Sequence, residues 1–221
     1  MKKNLVFFMI IIFLFVSCVS TEKLQVIHVE PSSELYHGDI NIPVINGQDE
    51  LNILVSKKVG EWFKKIKKEI IDWQNTNMEG EPMFAFYSDW KKTLDSKSTV
   101  SFLLSAYSFT GGANGQDMLY SFNWDKEEKK IISLDQILKE IVNPATLSTL
   151  SQVCENQLKM ILEVQEDDSL EEMIQEGTKP IKSNFQVFTL SKEGVTFYFN
   201  KYQVGPGSLG IQTVFIPYIK K

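Results

Sequence analysis

Apolar positions change period several times along this 221-residue chain, and each change marks the border of an element. Leu5–Val16 is an unbroken apolar run. Leu24–Glu30 alternates between apolar and polar and predicts a first strand, closed by Pro31. Asp39–Ile45 predicts a short second strand, where Pro43 points to a sheet edge. The period then lengthens. Leu51, Leu54, Val55, Val59, Trp62, Phe63, Ile66, Ile70 and Trp73 recur at spacings of three and four. They predict a long helix within Asn46–Trp73, capped by Asp49 or Asn46. Asn75–Pro82 reads as a loop, Met83–Trp90 as a strand and Lys91–Ser98 as a turn.

In Val100–Phe109 the period is two. Val100, Phe102, Leu104 and Ala106 share one face; Leu103, Tyr107 and Phe109 share the other. Met118–Trp124 predicts the partner strand. Between them, Gly111, Gly112, Asn114 and Gly115 tolerate positive φ, which predicts a wide loop. Asp125–Lys130 is a charged turn, and Ile131–Ile132 starts a short strand. Ser133 and Gln136 have capping-box spacing for a helix over Leu134–Ile141. Asn143 and Pro144 are placed as N-cap and first residue of the next helix. Its apolar stripe is Leu147, Leu150, Cys154, Leu158, Ile161 and Leu162.

The acidic stretch Glu166–Glu176 predicts a further short helix ended by Gly177. It lacks the ligand spacing and glycine of a calcium loop. Phe185–Leu190 and Val195–Phe199 predict a hairpin across Lys192-Glu193-Gly194. Tyr202–Gly210 reads as a Gly/Pro loop with Tyr202 exposed and Pro206 near its middle, and Ile211–Tyr218 as the last strand. Strands and helices mix without strict βαβ alternation. The predicted class is α+β, an antiparallel β-sheet packed against two main helices.

Lys2 and Lys3 precede the first apolar run, and Ser17–Cys18 follow it. The run is shorter than the roughly 20 residues that span a bilayer and fits the h-region of an export signal. This is the plan of a bacterial lipoprotein signal over residues 1–18, with lipid attached to Cys18; Phe15 stands where such signals usually carry Leu. A secretory signal with a chance cysteine, or an uncleaved anchor, is the alternative. Two or more acyl chains give stable membrane anchoring where one does not. Val19–Lys23 is then a polar tether, and the protein is expected outside the cytoplasm, lipid-anchored to a bacterial membrane.

Length suits one domain or two small intimate ones, divided here as halves 19–98 and 99–221. Every basic residue is Lys, and the net charge is −5, or −7 without Lys2 and Lys3. An acidic surface without arginine argues against nucleic acid and fits a cationic partner or plain solubility. Cys154 has no disulfide partner once Cys18 is acylated and reads as a buried thiol. Six lysines between Lys57 and Lys68 lie mostly off the apolar stripe of the long helix. They form either a solvated face or a surface for anionic lipid.

Catalytic signatures are missing. His28, in a strand, and His37, in a loop, have no metal-ligand spacing. No serine lies in a nucleophile-elbow motif, and Gly111–Gly115 is no phosphate loop. Paired carboxylates for glycoside hydrolysis are a spatial feature that spacing leaves open. No cofactor or metal is expected. Aromatic residues and Gly-rich loops on a sheet are how binding modules present a surface, which singles out Tyr107, Tyr120, Trp124, Tyr202 and Tyr218, with core packing as the other role for each.

Tyr107, Thr110-Gly111-Gly112-Ala113, Gly115, Phe122-Asn123 and Leu134-Asp135 resemble the signature of the RsiV/PdaC-like domains. Phe197–Tyr218 is similar to that family's ending, an aromatic strand, a Gly/Pro loop and a strand closing on Ile-Pro-Tyr. Asn114 stands where the family usually has His. Asp49-Glu50-Leu51-Asn52 loosely matches an Ile-Asn pair that opens the family's helix. The resemblance implies an extracytoplasmic, non-catalytic domain, expected as a monomer, binding a lysozyme-like protein or peptidoglycan. The candidate ligand-binding residues, taken from the aromatics and the Gly-rich loops, are Tyr107, Gly111, Gly112, Asn114, Tyr120, Tyr202 and Pro206. A carbohydrate-active hydrolase or a structural envelope protein is the rival reading.

Overall fold

The computed structural model describes residues 25–29, 36–75, 84–111, 114–164 and 168–219. The export signal, Cys18, the tether, Gly112 and most of the loop before Phe84 lie outside the described residues. The elements are β1 (Gln25–Val29), β2 (Tyr36–Val44), α1 (Asp49–Asn75), β3 (Phe84–Asp95), β4 (Thr99–Phe109), β5 (Gln116–Asp125) and β6 (Lys130–Ile131). They continue as α2 (Leu134–Ile141), α3 (Leu147–Ile161), α4 (Asp168–Thr178), β7 (Phe188–Leu190), β8 (Gly194–Phe199) and β9 (Gln212–Pro217). β1 to β6 form one sheet in chain order, and β7, β8 and β9 form a second. The α+β class is as expected, with α1 and α3 as its main helices.

One pair breaks the antiparallel pattern: β2 runs parallel to β3. Parallel neighbours need a crossover of a dozen or more residues, and α1, with 27 residues and about 40 Å of length, supplies it. Leu51, Val55, Val59 and Ile66 of α1 are buried against the sheet. Leu54 leaves the expected stripe, because it lies about 100° around the helix from Val55. Neither Asp49 nor Asn46 forms the main lock at the helix start. Asn52 does: its Oδ1 accepts from Ile45 N (2.8 Å) and its Nδ2 donates to Ile45 O (3.0 Å), closing the β2–α1 turn.

Other borders move for local reasons. Lys91 and Lys92 sit on the β3 ladder opposite Leu103 and Phe102, so the expected turn shrinks to Ser96–Ser98. A register shift at Thr93 then turns Leu94 toward the second sheet. Pro43 lies inside the sheet, with β1 beyond it; pairing with β3 ends at Ile40, so no ladder bond to β3 is lost there. His37 is in β2 rather than a loop. Asn143–Pro144 is a cis turn, and the N-cap of α3 is Thr146, whose Oγ1 accepts from Thr149 N at 3.1 Å. Ile161, in the last turn of α3, is exposed. Gly177 does not end α4; it lies within it, where a Cβ would overlap the Gln203 carbonyl. Residues Lys182–Phe185 form a 3-10 turn, which shortens β7. The expected helix over Leu134–Ile141 has the expected box, Ser133 N donating to Gln136 Oε1 at 2.7 Å.

Two cores result. One lies between α1 and the large sheet; the other packs α2, α3 and α4 on the second sheet. The 98/99 junction of the expected halves falls in the β3–β4 hairpin, a single paired unit, and the cores divide instead beyond β5. A buried polar seam joins them. Asn123 Nδ2 donates to Phe188 O (2.8 Å), Ser101 Oγ donates to Asn123 Oδ1 (2.6 Å), Leu190 N donates to Ser101 Oγ (2.8 Å) and Phe188 N donates to Ser121 Oγ (3.0 Å). The side chains of β4 and β5 thus bind the backbone of β7, which seats the second sheet on the outer face of the first.

Candidate functional site

The second sheet covers only part of that outer face. The rest is open, and strand register decides what it shows. Side chains alternate across a strand, so residues paired in register share a face. Asp39 of β2 pairs with Tyr87 of β3, Tyr87 with Tyr107 of β4, and Tyr107 with Asp117 of β5. Beside this row Asp89 pairs with Ser105. Asp39, Asn41, Tyr87, Asp89, Ser105 and Tyr107 line an open, shallow depression of about 280 Å³. The opposite sides of the same strands carry Phe86, Leu104 and Ala106 into the first core.

Tyr107 is 39% exposed, and its ring is held by the Gly-rich loop. A Cβ at residue 115 would overlap that ring, so glycine lets the chain pass over it without displacing it. Gly111 takes φ 94°, a conformation L side chains rarely adopt. Asn114 is exposed in the same loop. Asp89 Oδ1 accepts from Trp90 N at 2.8 Å, which orients its carboxylate beside the depression.

The loop after β8 reaches the end of the row. Lys201 Nζ stands 3.8 Å from Asp117 Oδ2 and 5.9 Å from the centre of the Tyr202 ring. Tyr202 is 61% exposed at φ 70°. Such backbone in a non-glycine residue costs energy and persists where its surroundings hold it. Gln203 holds it: Nε2 donates to Gly177 O and Asn184 O at 3.0 Å, and Oε1 accepts from Asn200 N at 3.0 Å. Buried Val204 anchors the loop below, and Pro206 is exposed on it.

The structure therefore brings together Tyr107, Gly111 and Asn114, and links the Tyr202–Pro206 loop to them through Asp117. It separates Tyr120. Tyr120 pairs with Leu104 and faces α1, with Lys58 Nζ 4.4 Å above its ring and Phe122 4.9 Å away. Trp124 is buried and donates from Nε1 to Gln48 Oε1 at 2.7 Å. Tyr218 packs on the second core, where burial and the Glu140 carboxylate raise its pKa. Asn123, read as part of the family signature, works in the seam. Asp39, Tyr87, Asp89 and Ser105 escaped the sequence reading. Alternation marks a face, but only strand order shows that β2, β3 and β4 combine theirs. Burial pushes the Cys154 thiol up to about 12, as an inert thiol requires. Among the described residues no three of His, Cys, Asp and Glu gather as metal ligands, and no helix is long and apolar enough to cross a membrane.

Comparison with known proteins places this fold. Crystal structures of a DUF3298 family member from Bacteroides fragilis NCTC 9343 and of a DUF3298 family protein from Pseudomonas aeruginosa PAO1 superpose with TM-scores of 0.61 and 0.64. Their identities are 20% and 19%, covering 88% and 89% of this chain and 90% and 91% of theirs. The architecture is thus that of the DUF3298 structures. Residues 139–219 match the family described as Protein of unknown function (DUF3298), and residues 29–117 match Deacetylase PdaC. Peptidoglycan-N-acetylmuramic acid deacetylase PdaC of Bacillus subtilis (strain 168) is 31% identical over 180 residues, 80% of this chain. The chain spans 36% of that relative's length. The first part of the chain is thus similar to the PdaC family and the last part to the DUF3298 family.

Proposed function

We propose that this protein is a non-catalytic cell-envelope domain, lipid-anchored through Cys18, that binds peptidoglycan glycan on the open half of its outer sheet face. One observation carries the reading: Tyr87 and Tyr107 stand side by side in a depression rimmed by Asp39, Asn41, Asp89 and Ser105. Flat aromatic rings suit the apolar faces of sugar rings, and short carboxylate, amide and hydroxyl groups suit their hydroxyls. The name of the Bacillus subtilis relative, a deacetylase of peptidoglycan N-acetylmuramic acid, points to the same ligand class.

A second reading has its own observation. Tyr202 projects from a braced loop beside Asp117, and the chain is acidic, which suits a basic lysozyme-like protein. The rival hydrolase reading needs two carboxylates flanking a bond in a cleft. Asp39 and Asp89 share the depression, but it is open and shallow, which favours binding.

The test is calorimetric titration of the chain from Ser20 onward with soluble peptidoglycan fragments and, separately, with lysozyme at low and physiological salt. Glycan binding that Tyr107→Ala weakens at least tenfold, with no new reducing ends formed, supports the main reading. Lysozyme binding that survives salt and is lost in Tyr202→Ala supports the second. Turnover abolished by Asp89→Asn would overturn the non-catalytic reading.

A further inference from the structure

The helix that covers the first core has an outward side of its own. At 3.6 residues per turn, Ile53, Lys57, Lys64, Lys68 and Ile71 share the side of α1 opposite Leu51, Val55, Val59 and Ile66. Ile53 is 66% exposed and Ile71 44%. Lys57, Lys64 and Lys68 are exposed too, and among the described residues they pair with no carboxylate. Of the acids of α1, Glu69 and Asp72 fall away from this side; Glu61 borders it and is met by Lys58 at 3.3 Å, and Glu50, in the first turn, is met by Lys129 at 3.0 Å. A single exposed isoleucine is ordinary. Two on one side, about five turns apart with three lysines between them, form the mixed apolar and basic side of an interfacial helix. The pattern runs against the net charge of −5.

We propose that this side of α1 lies along the anionic headgroups of a phospholipid bilayer. The lysines meet phosphates while their stems and the two isoleucines enter the interface. Charge selects the occupant, and chain length agrees. Cys18 lies seven residues before Gln25, the start of β1, a reach of at most about 25 Å; this supporting point alone rests on the proposed lipid attachment. The arrangement has a functional consequence. α1 covers one face of the large sheet and Tyr107 lies on the other, so docking by α1 turns the open face away from the bilayer, toward the envelope.

The test uses the full chain with a polarity-sensitive label at Lys64→Cys or, on the opposite face, at Asp89→Cys. The buried Cys154 stays unlabelled, and the unsubstituted chain labelled in parallel reads any signal from Cys18. Vesicles are phosphatidylcholine alone or mixed with phosphatidylglycerol, each carrying brominated lipid as quencher. The expected result is quenching at position 64 on the phosphatidylglycerol vesicles, at least fivefold above that at position 89 and absent on phosphatidylcholine. Adding Lys57→Glu and Lys68→Glu should weaken that docking at least about 25-fold, roughly fivefold for each lysine lost. Flotation reads the anchor separately. Co-flotation with both lipids without quenching at 64 overturns docking and leaves the anchor standing. Flotation and quenching on phosphatidylglycerol alone supports docking and overturns the anchor. No flotation overturns both, and equal quenching at 64 and 89 overturns the orientation.

Discussion

The outer face of the large sheet carries polar side chains in both of its halves, yet the halves do opposite things. At one end Ser101, Ser121 and Asn123 are sealed by β7, each bound to its backbone or to one another. At the other end Asp39, Asn41, Tyr87, Asp89, Ser105 and Tyr107 line an open depression. A polar side chain on a sheet face therefore has two roles here. Where a strand edge of the second sheet reaches it, it is a lock; where none does, it is available to a ligand. The aromatic content follows the same division. The sealed half uses small residues that let β7 approach, whereas the open half carries two tyrosines broad enough to stack against something from outside.

Breaking the lock gives the largest effect. Asn123→Ala strands the Phe188 carbonyl and removes the acceptor of the Ser101 hydroxyl in a buried seam. Leaving buried polar groups unsatisfied costs about 3 kcal/mol in all, roughly 6–12 °C in Tm for a domain of this size, measurable by thermal unfolding. The open half behaves differently. Tyr107→Ala loses ligand affinity at least tenfold, about 1.4 kcal/mol, while Tm moves by no more than about 2 °C, because the ring packs on Gly115 and the loop rather than in a core. Gly115→Val displaces the same ring without removing it, and an intermediate loss of affinity, with the fold retained, separates the position of the ring from its presence.

How much of this was legible follows from where each signal lives. The alternation of Val100–Phe109 placed Tyr107 on the face opposite Phe102 and Leu104, and the structure agrees. Ser133 and Gln136 announced α2. Those are signals within a few residues. The site needed more, since Tyr87 and Asp39 join Tyr107 only through strand order, and the parallel β2–β3 pair depends on α1 as a crossover. Tyr120 misled because it is an aromatic beside the glycine loop, yet it sits an odd number of residues from Asp117 and so faces α1. Asn123 belonged to a recognisable motif, but its partner lies 65 residues on, in β7.

The smallest effects lie at ion pairs away from both halves. Asp95 is partly buried, which would raise its pKa, but hydrogen bonds from Lys126 and Lys92 outweigh that and hold its carboxyl below the ordinary range. Its contribution is therefore present above the unfolded value and lost as pH falls through the folded one. Asp95→Asn should remove less than about 1 kcal/mol near neutrality and flatten the acid limb of a stability–pH curve. Hydrogen bonds to Glu155 and Glu171 raise the Lys159 pKa above its ordinary value, so its contribution fades only as pH rises past that raised value. Neither Asp95→Asn nor titration of Lys159 should alter ligand affinity. If one did, the division of the outer face into lock and site would be too simple.

The most direct measurement is a map of backbone amide shifts on adding a soluble peptidoglycan fragment. Changes should cluster at Asp39, Asn41, Tyr87, Asp89, Ser105 and Tyr107, with Ser101, Ser121 and Asn123 still. Changes centred on Tyr120 and α1, or none at saturating fragment, would contradict this.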